Sequence, residues 1–351
     1  MSHRIPVGLV GVTGYTGMEL ARLLARHPGL ELVRATSRSE AGKTLGDLYP
    51  GLGGFPIADC PVSQPDVDDL AEACALVFLA VPHGTAMDMA AALVAKGVKV
   101  VDLSADFRIN SAETYAQWYG LEHRHPELLP DAVFGLPEFN AKDIAGAQLV
   151  ANPGCYPTSA ILGLAPALRE SLVLTQGIVI DSKSGTTGSG RKPSVGALYC
   201  EVADSFRAYN LGRHRHTPEI EQELGRVAGT ELTVSFNTHL LPINRGILST
   251  SYCQLADGVG AEDVRRAYTD AYANCPWVRV LPEGKLPEVR HVRGTMFCDI
   301  GLVVDPRTGR LIVVSVIDNL CRGASGQALA NANLMLEQPL DAGLDLAPLV
   351  P

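Results

Sequence analysis

Short, almost continuous apolar runs alternate with stretches of helical spacing through the first hundred residues, and this pattern restricts the fold more than any other feature. The runs are IPVGLVGV (5–12), LELVRATS (30–37), CALVFLAVP (74–82) and VKVVDLS (98–104). MELARLLARH (18–27) and MDMAAALVAKG (87–97) lie between them with apolar residues at helical intervals, and Gly97 stands where a helix would be capped. A strand that is apolar on both faces must be covered on both faces. Strands of this kind separated by helices therefore predict a parallel sheet with helices on either side. Residues 1–150 are expected to form an α/β, Rossmann-type doubly wound domain.

Beyond residue 150 the pattern changes. GIVIDSKS (177–184), LTVSFNTHLLP (232–242), ILSTSYCQL (247–255), TMFCDIGLVV (295–304) and RLIVVSVID (310–318) are strand candidates. DPRTG (305–309) is a turn sequence, so the last two should form an antiparallel hairpin. Residues 151–322 are expected to be an α+β catalytic and oligomerisation domain with a mostly antiparallel sheet. GASGQALANANLMLE (323–337) reads as a final helix, and 323–340 is expected to pack back on the first domain. The tail DAGLDLAPLVP is expected to be loosely ordered at its end.

The chain has 351 residues, 46% of them hydrophobic and 19% charged, enough for two domains with substantial cores. A net charge of −9 argues against a general nucleic-acid binder, which needs basic residues to neutralise phosphates. No apolar run approaches the roughly 18–20 residues of a membrane span. The opening MSHRIPVGLVGV is Gly-rich and too short in apolar residues for a secretory signal, so the expected location is cytoplasmic. The eight cysteines are scattered without a CxxC pair, which points to reduced thiols and away from a metal site.

The first strand runs into GVTGYTG, with Gly11, Gly14 and Gly17 three apart at the opening of a helix. Glycines there let a pyrophosphate approach the backbone, and the helix N-terminus favours its charge. The spacing is GxxGxxG rather than GxGxxG. At the end of the second strand an NAD site expects a carboxylate for the ribose hydroxyls. This chain instead has Ser37, Arg38 and Ser39, which suit the 2′-phosphate of NADP.

ANPGCYPT (151–158) places Cys155 at a bend before an apolar helical stretch, with Pro157 suited to the first turn and Pro166 expected to kink or shorten the helix. A cysteine at a helix N-terminus is favoured as thiolate, the form that acts as nucleophile. It needs an acid–base partner. HRHTPEIEQEL (214–224) offers His214 and His216 just before a helix expected to be capped by Thr217, with Pro218 at its first position. Spacing leaves open which imidazole acts; His216, nearer the cap, is preferred.

Together GVTGYTG, LSADFR (103–108), ANPGCYPT, KSGTTGSGRKP (183–193), HRHTPEIEQEL and DNLCRGASGQA (318–328) resemble the N-acetyl-γ-glutamyl-phosphate reductases of arginine biosynthesis. These enzymes are similar in fold to aspartate-semialdehyde and glyceraldehyde-3-phosphate dehydrogenases. The resemblance implies NADPH-dependent reduction of an acyl phosphate to a semialdehyde through a thioester on Cys155, with His216 as acid–base. It implies that Gly11, Thr13, Gly14, Tyr15, Thr16, Gly17, Gly185, Gly188 and Asn319 serve the cofactor. Ser104, Arg108, Asn152 and Arg245 would serve the substrate, with positive charge from Lys183, Arg191 and Lys192. It also implies a homo-oligomer, dimer or tetramer. The competing readings are a reductase of the longer N-acetyl-aminoadipyl phosphate of lysine biosynthesis, a non-catalytic NADP-binding sensor, and a cysteine hydrolase that would leave the glycine loop without a use.

Overall fold

The computed structural model describes Arg4–Leu349, and its chain divides into two compact units, Met1–Pro153 with Ala324–Asp345, and Gly154–Gly323 with Leu346–Pro351. Met1–His3 and the last two residues of the tail lie outside the described residues, so the expectation about the tail's end is not addressed. No helix among the described residues is long and apolar enough to cross a membrane.

The apolar runs of the first unit become strands of one parallel sheet. These are β1 (Ile5–Val10), β2 (Leu30–Thr36), β3 (Val62–Ser63), β4 (Leu76–Leu79), β5 (Lys99–Asp102), β6 (Val133–Phe134) and β7 (Leu149–Ala151). Their order is β3-β2-β1-β4-β5-β7-β6, and every neighbouring pair is parallel. The order reverses between β1 and β4, which is where doubly wound sheets open a crevice beyond the carboxyl ends of their strands. The helices are α1 (Tyr15–Leu24), α2 (Leu45–Leu48), α3 (Val67–Ala73), α4 (Ala86–Ala95), α5 (Ala112–Tyr119) and α6 (Pro137–Gly146). Leu70, Val77, Leu79, Ala90, Leu93, Val100 and Phe107 belong to one buried cluster, made by strand and helix side chains together.

The second unit carries α7 (Cys155–Arg169), β8 (Ile178–Ser184), α8 (Tyr199–Val202), β9 (Arg207–Tyr209), α9 (Thr217–Ala228), β10 (Val234–Leu240), β11 (Ile247–Gln254), α10 (Ala261–Tyr272), β12 (Val278–Val280), β13 (Cys298–Asp305) and β14 (Arg310–Ile317). Its sheet runs β12-β13-β14-β11-β8-β10-β9. The β8–β10 and β12–β13 pairs are parallel and the other four are antiparallel. The β13–β14 hairpin turns at Asp305, whose carbonyl and carboxylate accept the N–H groups of Gly309 and Arg307. The expected last helix begins later than its sequence suggests. A π-helical turn at Cys321–Ser325 precedes α11 (Gly326–Met335), which packs on α1, α6 and β5 in the first unit.

Helix α7 organises the second unit. Every residue from Tyr156 to Leu168 is buried, as expected for a helix that is apolar on all sides. It lies on β11 and β14, with α9 and α10 against its other faces. Ser159 fixes its rotation, because its hydroxyl bonds those of Ser249 (3.0 Å) and Ser315 (2.8 Å), and Ser182 bonds Ser249 in turn (2.7 Å). Ser182, Ser249 and Ser315 face one another across three neighbouring strands.

Pro166 corrects one expectation, since α7 continues through it to Arg169. Proline cannot donate to the carbonyl of Leu162, four residues earlier. The Tyr272 hydroxyl donates to that carbonyl, and the Tyr268 hydroxyl donates to Gly163 O (2.6 Å). Two tyrosines of α10 thus supply hydrogen bonds where the helix could have broken.

Candidate active site

Cys155 is the first residue of α7, two positions earlier than a proline-led start would place the helix. Pro157 is therefore third, still within the turn whose N–H groups have no partner inside the helix. The N-cap is Gly154, which has no side chain to bond those groups. The turn is closed by Thr158, whose N–H (3.0 Å) and hydroxyl (2.9 Å) both donate to Gly154 O. From the other side the Gly154 N–H donates to the carboxylate of Glu219 at 2.7 Å. Cys155 itself is half-buried, whereas Cys60, Cys74, Cys253, Cys298 and Cys321 are buried. Burial pushes the thiols of Cys60 and Cys74 up to about 11 and that of Cys253 up to about 12. These three are held as thiols at neutral pH, while Cys155 occupies a helix N-terminus, the position that favours a thiolate.

Gly323 packs directly on this turn. A Cβ added there would lie 2.7 Å from Cys155 Cβ and 3.0 Å from its Cα. Only a residue without a side chain lets the Cys321–Ser325 turn approach the cysteine so closely.

The two histidines lie on one side of Tyr156, with ring centroids 5.3 Å (His214) and 6.0 Å (His216) from its ring. The structure moves the helix start, because the N-cap of α9 is His216 rather than Thr217 and its side chain makes no capping bond. Thr217 is instead the first helical residue, its N–H bonded to His214 O in a turn that precedes the helix. His214 has a structural task. Its Nδ1 accepts the His216 N–H at 3.1 Å, and its ring is wedged among Tyr156, Tyr209 and Phe236. Burial, and then the charge of Arg215, lower its pKa to about 4, so it is neutral at physiological pH. His216 is the remaining imidazole beside Tyr156, on the helix packed against α7.

The segment after β8 is tied down by Asn319. Its Oδ1 accepts the Gly246 N–H (2.7 Å) and its Nδ2 donates to Thr187 Oγ1 (3.0 Å). Gly185 packs on the backbone of Asn244 and Arg245, within 3 Å of where a side chain would begin, while Gly188 lies beside Ser184. Arg245 is oriented by Asp318, whose carboxylate also accepts the N–H groups of Gly294, Leu320 and Cys321. Lys183 pairs with Asp181 at 2.6 Å, and Arg191 and Lys192 are exposed.

In the first unit the three loop glycines have different tasks. Gly11 has φ +89°, and a side chain there would collide with Ala80 O at the end of β4. A side chain on Gly17 would strike Gly11 O as α1 crosses the loop. Around Gly14, the N-cap of α1, nothing lies closer than 3.8 Å to where a Cβ would be. Gly11 and Gly17 build the turn and Gly14 leaves the helix N-terminus accessible to an anion, an arrangement that fits a dinucleotide pyrophosphate. Thr13, Tyr15 and Thr16 complete the loop and the first turn of α1. Beyond β2, Ser37 is buried with its hydroxyl 3.4 Å from that of Ser39, and Arg38 and Ser39 are exposed. The nearest carboxylate in sequence, Glu40, pairs with Lys43 at 2.6 Å.

Ser104, Arg108 and Asn152 come together in a buried polar cluster of the first unit. The Ser104 hydroxyl donates to Asp102 (2.7 Å). Arg108 donates to Asn152 O (2.7 Å) and Leu103 O (2.9 Å), and Asn152 donates to Ala324 O (3.1 Å). They fix the chain where it leaves β5 and β7. Burial, and then Asp106, push the Asp102 carboxyl up to about 7.

Two residues of the site escaped sequence reasoning, Glu219 and Gly323. Glu219 had a signal, since it adjoins the apolar residues Ile220 and Leu224 on the face of α9 that becomes buried. Gly323 had none, because its partner lies far away in sequence.

The semialdehyde dehydrogenase NAD binding domain family matches residues 6–147, and the semialdehyde dehydrogenase dimerisation domain family matches residues 155–319. An N-acetyl-gamma-glutamyl-phosphate reductase of Pelotomaculum thermopropionicum is 52% identical, the alignment covering 97% of each chain. The enzyme of the same name from Desulfotalea psychrophila is 51% identical over 99% of this chain and 100% of its own. Among solved structures, aspartate semialdehyde dehydrogenase II of Vibrio cholerae superposes with a TM-score of 0.72 at 16% identity, covering 96% of this chain and 99% of that one. The Candida albicans aspartate semialdehyde dehydrogenase gives 0.65 at 18% identity, covering 97% and 99%.

Proposed function

Because the chain belongs to the N-acetyl-gamma-glutamyl-phosphate reductase family, we propose that Cys155 and His216 carry out its reaction, the reduction of N-acetyl-γ-glutamyl phosphate to N-acetylglutamate semialdehyde in arginine biosynthesis. The observation that carries the assignment is the pairing of two helix starts. Cys155 opens α7, His216 caps α9, and the two helices pack together.

His216 takes the proton from Cys155 Sγ, and the N-terminus of α7 favours the resulting thiolate. The thiolate attacks the acyl carbon, a C–S bond forms, and the C–O bond to phosphate breaks with release of inorganic phosphate. Backbone N–H groups of the first turn of α7 stabilise the oxyanion formed in this step. A nicotinamide cofactor, when bound, supplies the hydride that takes the thioester to the aldehyde level. The C–S bond then breaks, the thiolate is released with the semialdehyde, and His216 returns the proton to Sγ.

The glycine loop and the N-terminus of α1 hold the cofactor's pyrophosphate. Ser37, Arg38 and Ser39 select NADP through its 2′-phosphate, supported by the lack of a free carboxylate at this strand end. Gly185, Gly188 and Asn319 shape the loop expected to face the nicotinamide. Arg245, aimed by Asp318, binds a negatively charged group of the substrate, and Ser104, Arg108 and Asn152, on the segments that leave β5 and β7, serve the substrate as well. The second unit matches a dimerisation domain, and the protein works as a homo-oligomer, dimer or tetramer, in the cytoplasm.

The test is the reverse reaction. Purified protein receives phosphate, N-acetylglutamate semialdehyde and either NADP or NAD, and reduced cofactor is followed optically. Fast reduction of NADP, with Cys155→Ala inactive and His216→Asn slowed by about 10²–10⁴-fold, is the expected result. Preference for the aldehyde one carbon longer would move the substrate assignment. Undiminished turnover by the Cys155→Ala enzyme would overturn the mechanism.

A further inference from the structure

Glu219 is fully buried at the third position of α9, three residues after His216. A glutamate at this position ordinarily serves the start of its own helix. Here its Oε1 accepts the Gly154 N–H, the N-cap of α7 and the residue before Cys155. One carboxylate thus stands at two helix N-termini, each of which favours its negative charge.

We propose that Glu219 is a positioning residue of the reductase reaction, joining the turn that presents Cys155 to the turn that presents His216. The inference rests on the roles given above to those two residues. With a glycine as N-cap, α7 has no capping side chain of its own, and Glu219 supplies that anchor from the neighbouring helix. Any rotation of α9 that moves His216 must pull on Gly154, so the two reacting groups keep their separation. The carboxylate has a second effect. It shares the positive end of α7 with the Cys155 thiolate and opposes that charge, keeping the sulfur from becoming so weakly basic that it loses nucleophilicity. The other titratable or charged groups around this turn are Tyr156 on α7, Tyr209 on β9, His214, Arg215 and His216 before α9, and Arg322 next to Gly323. Glu219 bonds the nucleophile's turn directly, through the Gly154 N–H.

The experiment compares full-length Glu219→Ala and Glu219→Gln enzymes with wild type. Turnover and KM are measured in the reverse reaction. The rate of Cys155 alkylation by iodoacetamide is measured against pH by mass spectrometry of its peptide. Glu219→Ala should lose about 10²-fold in kcat with KM changed by less than about threefold, the signature of misplaced reacting groups. Glu219→Gln should recover most of that loss, because its amide oxygen can accept the Gly154 N–H. Its alkylation profile should move to lower pH, with alkylation at pH ~6.5 at least about threefold faster. An Ala variant within about threefold of wild-type kcat, a Gln variant as poor as Ala, or a Gln profile coincident with wild type would each overturn the proposal. If the Ala variant fails to fold, the Gln turnover and profile decide. Alkylation titrates Cys155 whatever its catalytic role, so failure of the underlying mechanism would show separately, as turnover by Cys155→Ala.

Discussion

Gly323→Ala adds a single methyl group to the back of the nucleophile. The new Cβ would start 2.7 Å from Cys155 Cβ and 3.0 Å from its Cα. Carbon atoms rest about 3.5–4.0 Å apart, so this contact has to open by about 0.8 Å or more. Neither side gives easily. Cys155 belongs to a helix buried along its length and pinned to the sheet by Ser159. The Gly323 N–H is bonded to Asp318 O, and the Asp318 carboxylate holds the Leu320 and Cys321 N–H groups. The strain should cost about 1–3 kcal/mol of stability. A displacement near 1 Å at the nucleophile should lower kcat by about 10²-fold. Thermal melting and reverse-reaction kinetics read the two effects together. Gly146→Ala is the control, because an added methyl there meets nothing within 4 Å. A Gly323→Ala enzyme that melts with wild type and turns over within about threefold of it would refute the close-packing argument.

Arg38→Ala should raise KM for NADP by about tenfold or more while leaving that for NAD nearly unchanged, as steady-state kinetics with each cofactor will show. Tyr272→Phe leaves Leu162 O without the donor that replaces the missing N–H of Pro166, and should lower stability by about 1–3 kcal/mol in denaturant titration. His214 makes stability depend on pH. Its pKa falls from 6.5 to about 4 on folding, so the unfolded chain holds the extra proton between those values. The contribution is fully present above pH ~6.5 and is lost as pH falls towards ~4, by about 3 kcal/mol in all. A His214→Asn variant should flatten that part of the stability profile, and an unchanged slope would contradict the assignment.

The strands were legible because burial on both faces leaves an unmistakable apolar signature. IPVGLV and LVFL became β1 and β4, and the DPRTG turn joined β13 to β14. Helix starts were legible only to within a residue or two. Pro157 and Thr217 drew the expected starts inward, but backbone hydrogen bonding begins α7 at Cys155 and makes His216 the cap of α9. Pro166 was expected to kink or shorten α7, and the donor that lets the helix run past it, the Tyr272 hydroxyl, comes from more than a hundred residues away. Separation in sequence also hid the partners of Glu219 and Gly323. What the candidate nucleophile and histidine advertise is local: a bend, a proline, a capping position. The residues that hold them act across the fold, and a one-dimensional pattern carries little trace of such partners.

Trapping the covalent intermediate tests the chemistry most directly. Enzyme is mixed with N-acetyl-γ-glutamyl phosphate in the absence of NADPH, quenched in acid and digested, and its cysteine peptides are weighed. An N-acetylglutamyl group on the Cys155 peptide, formed with release of phosphate and discharged as semialdehyde when NADPH is added before the quench, is the expected outcome. An acyl group on another residue, or full turnover by an enzyme in which no acyl group forms, would contradict it.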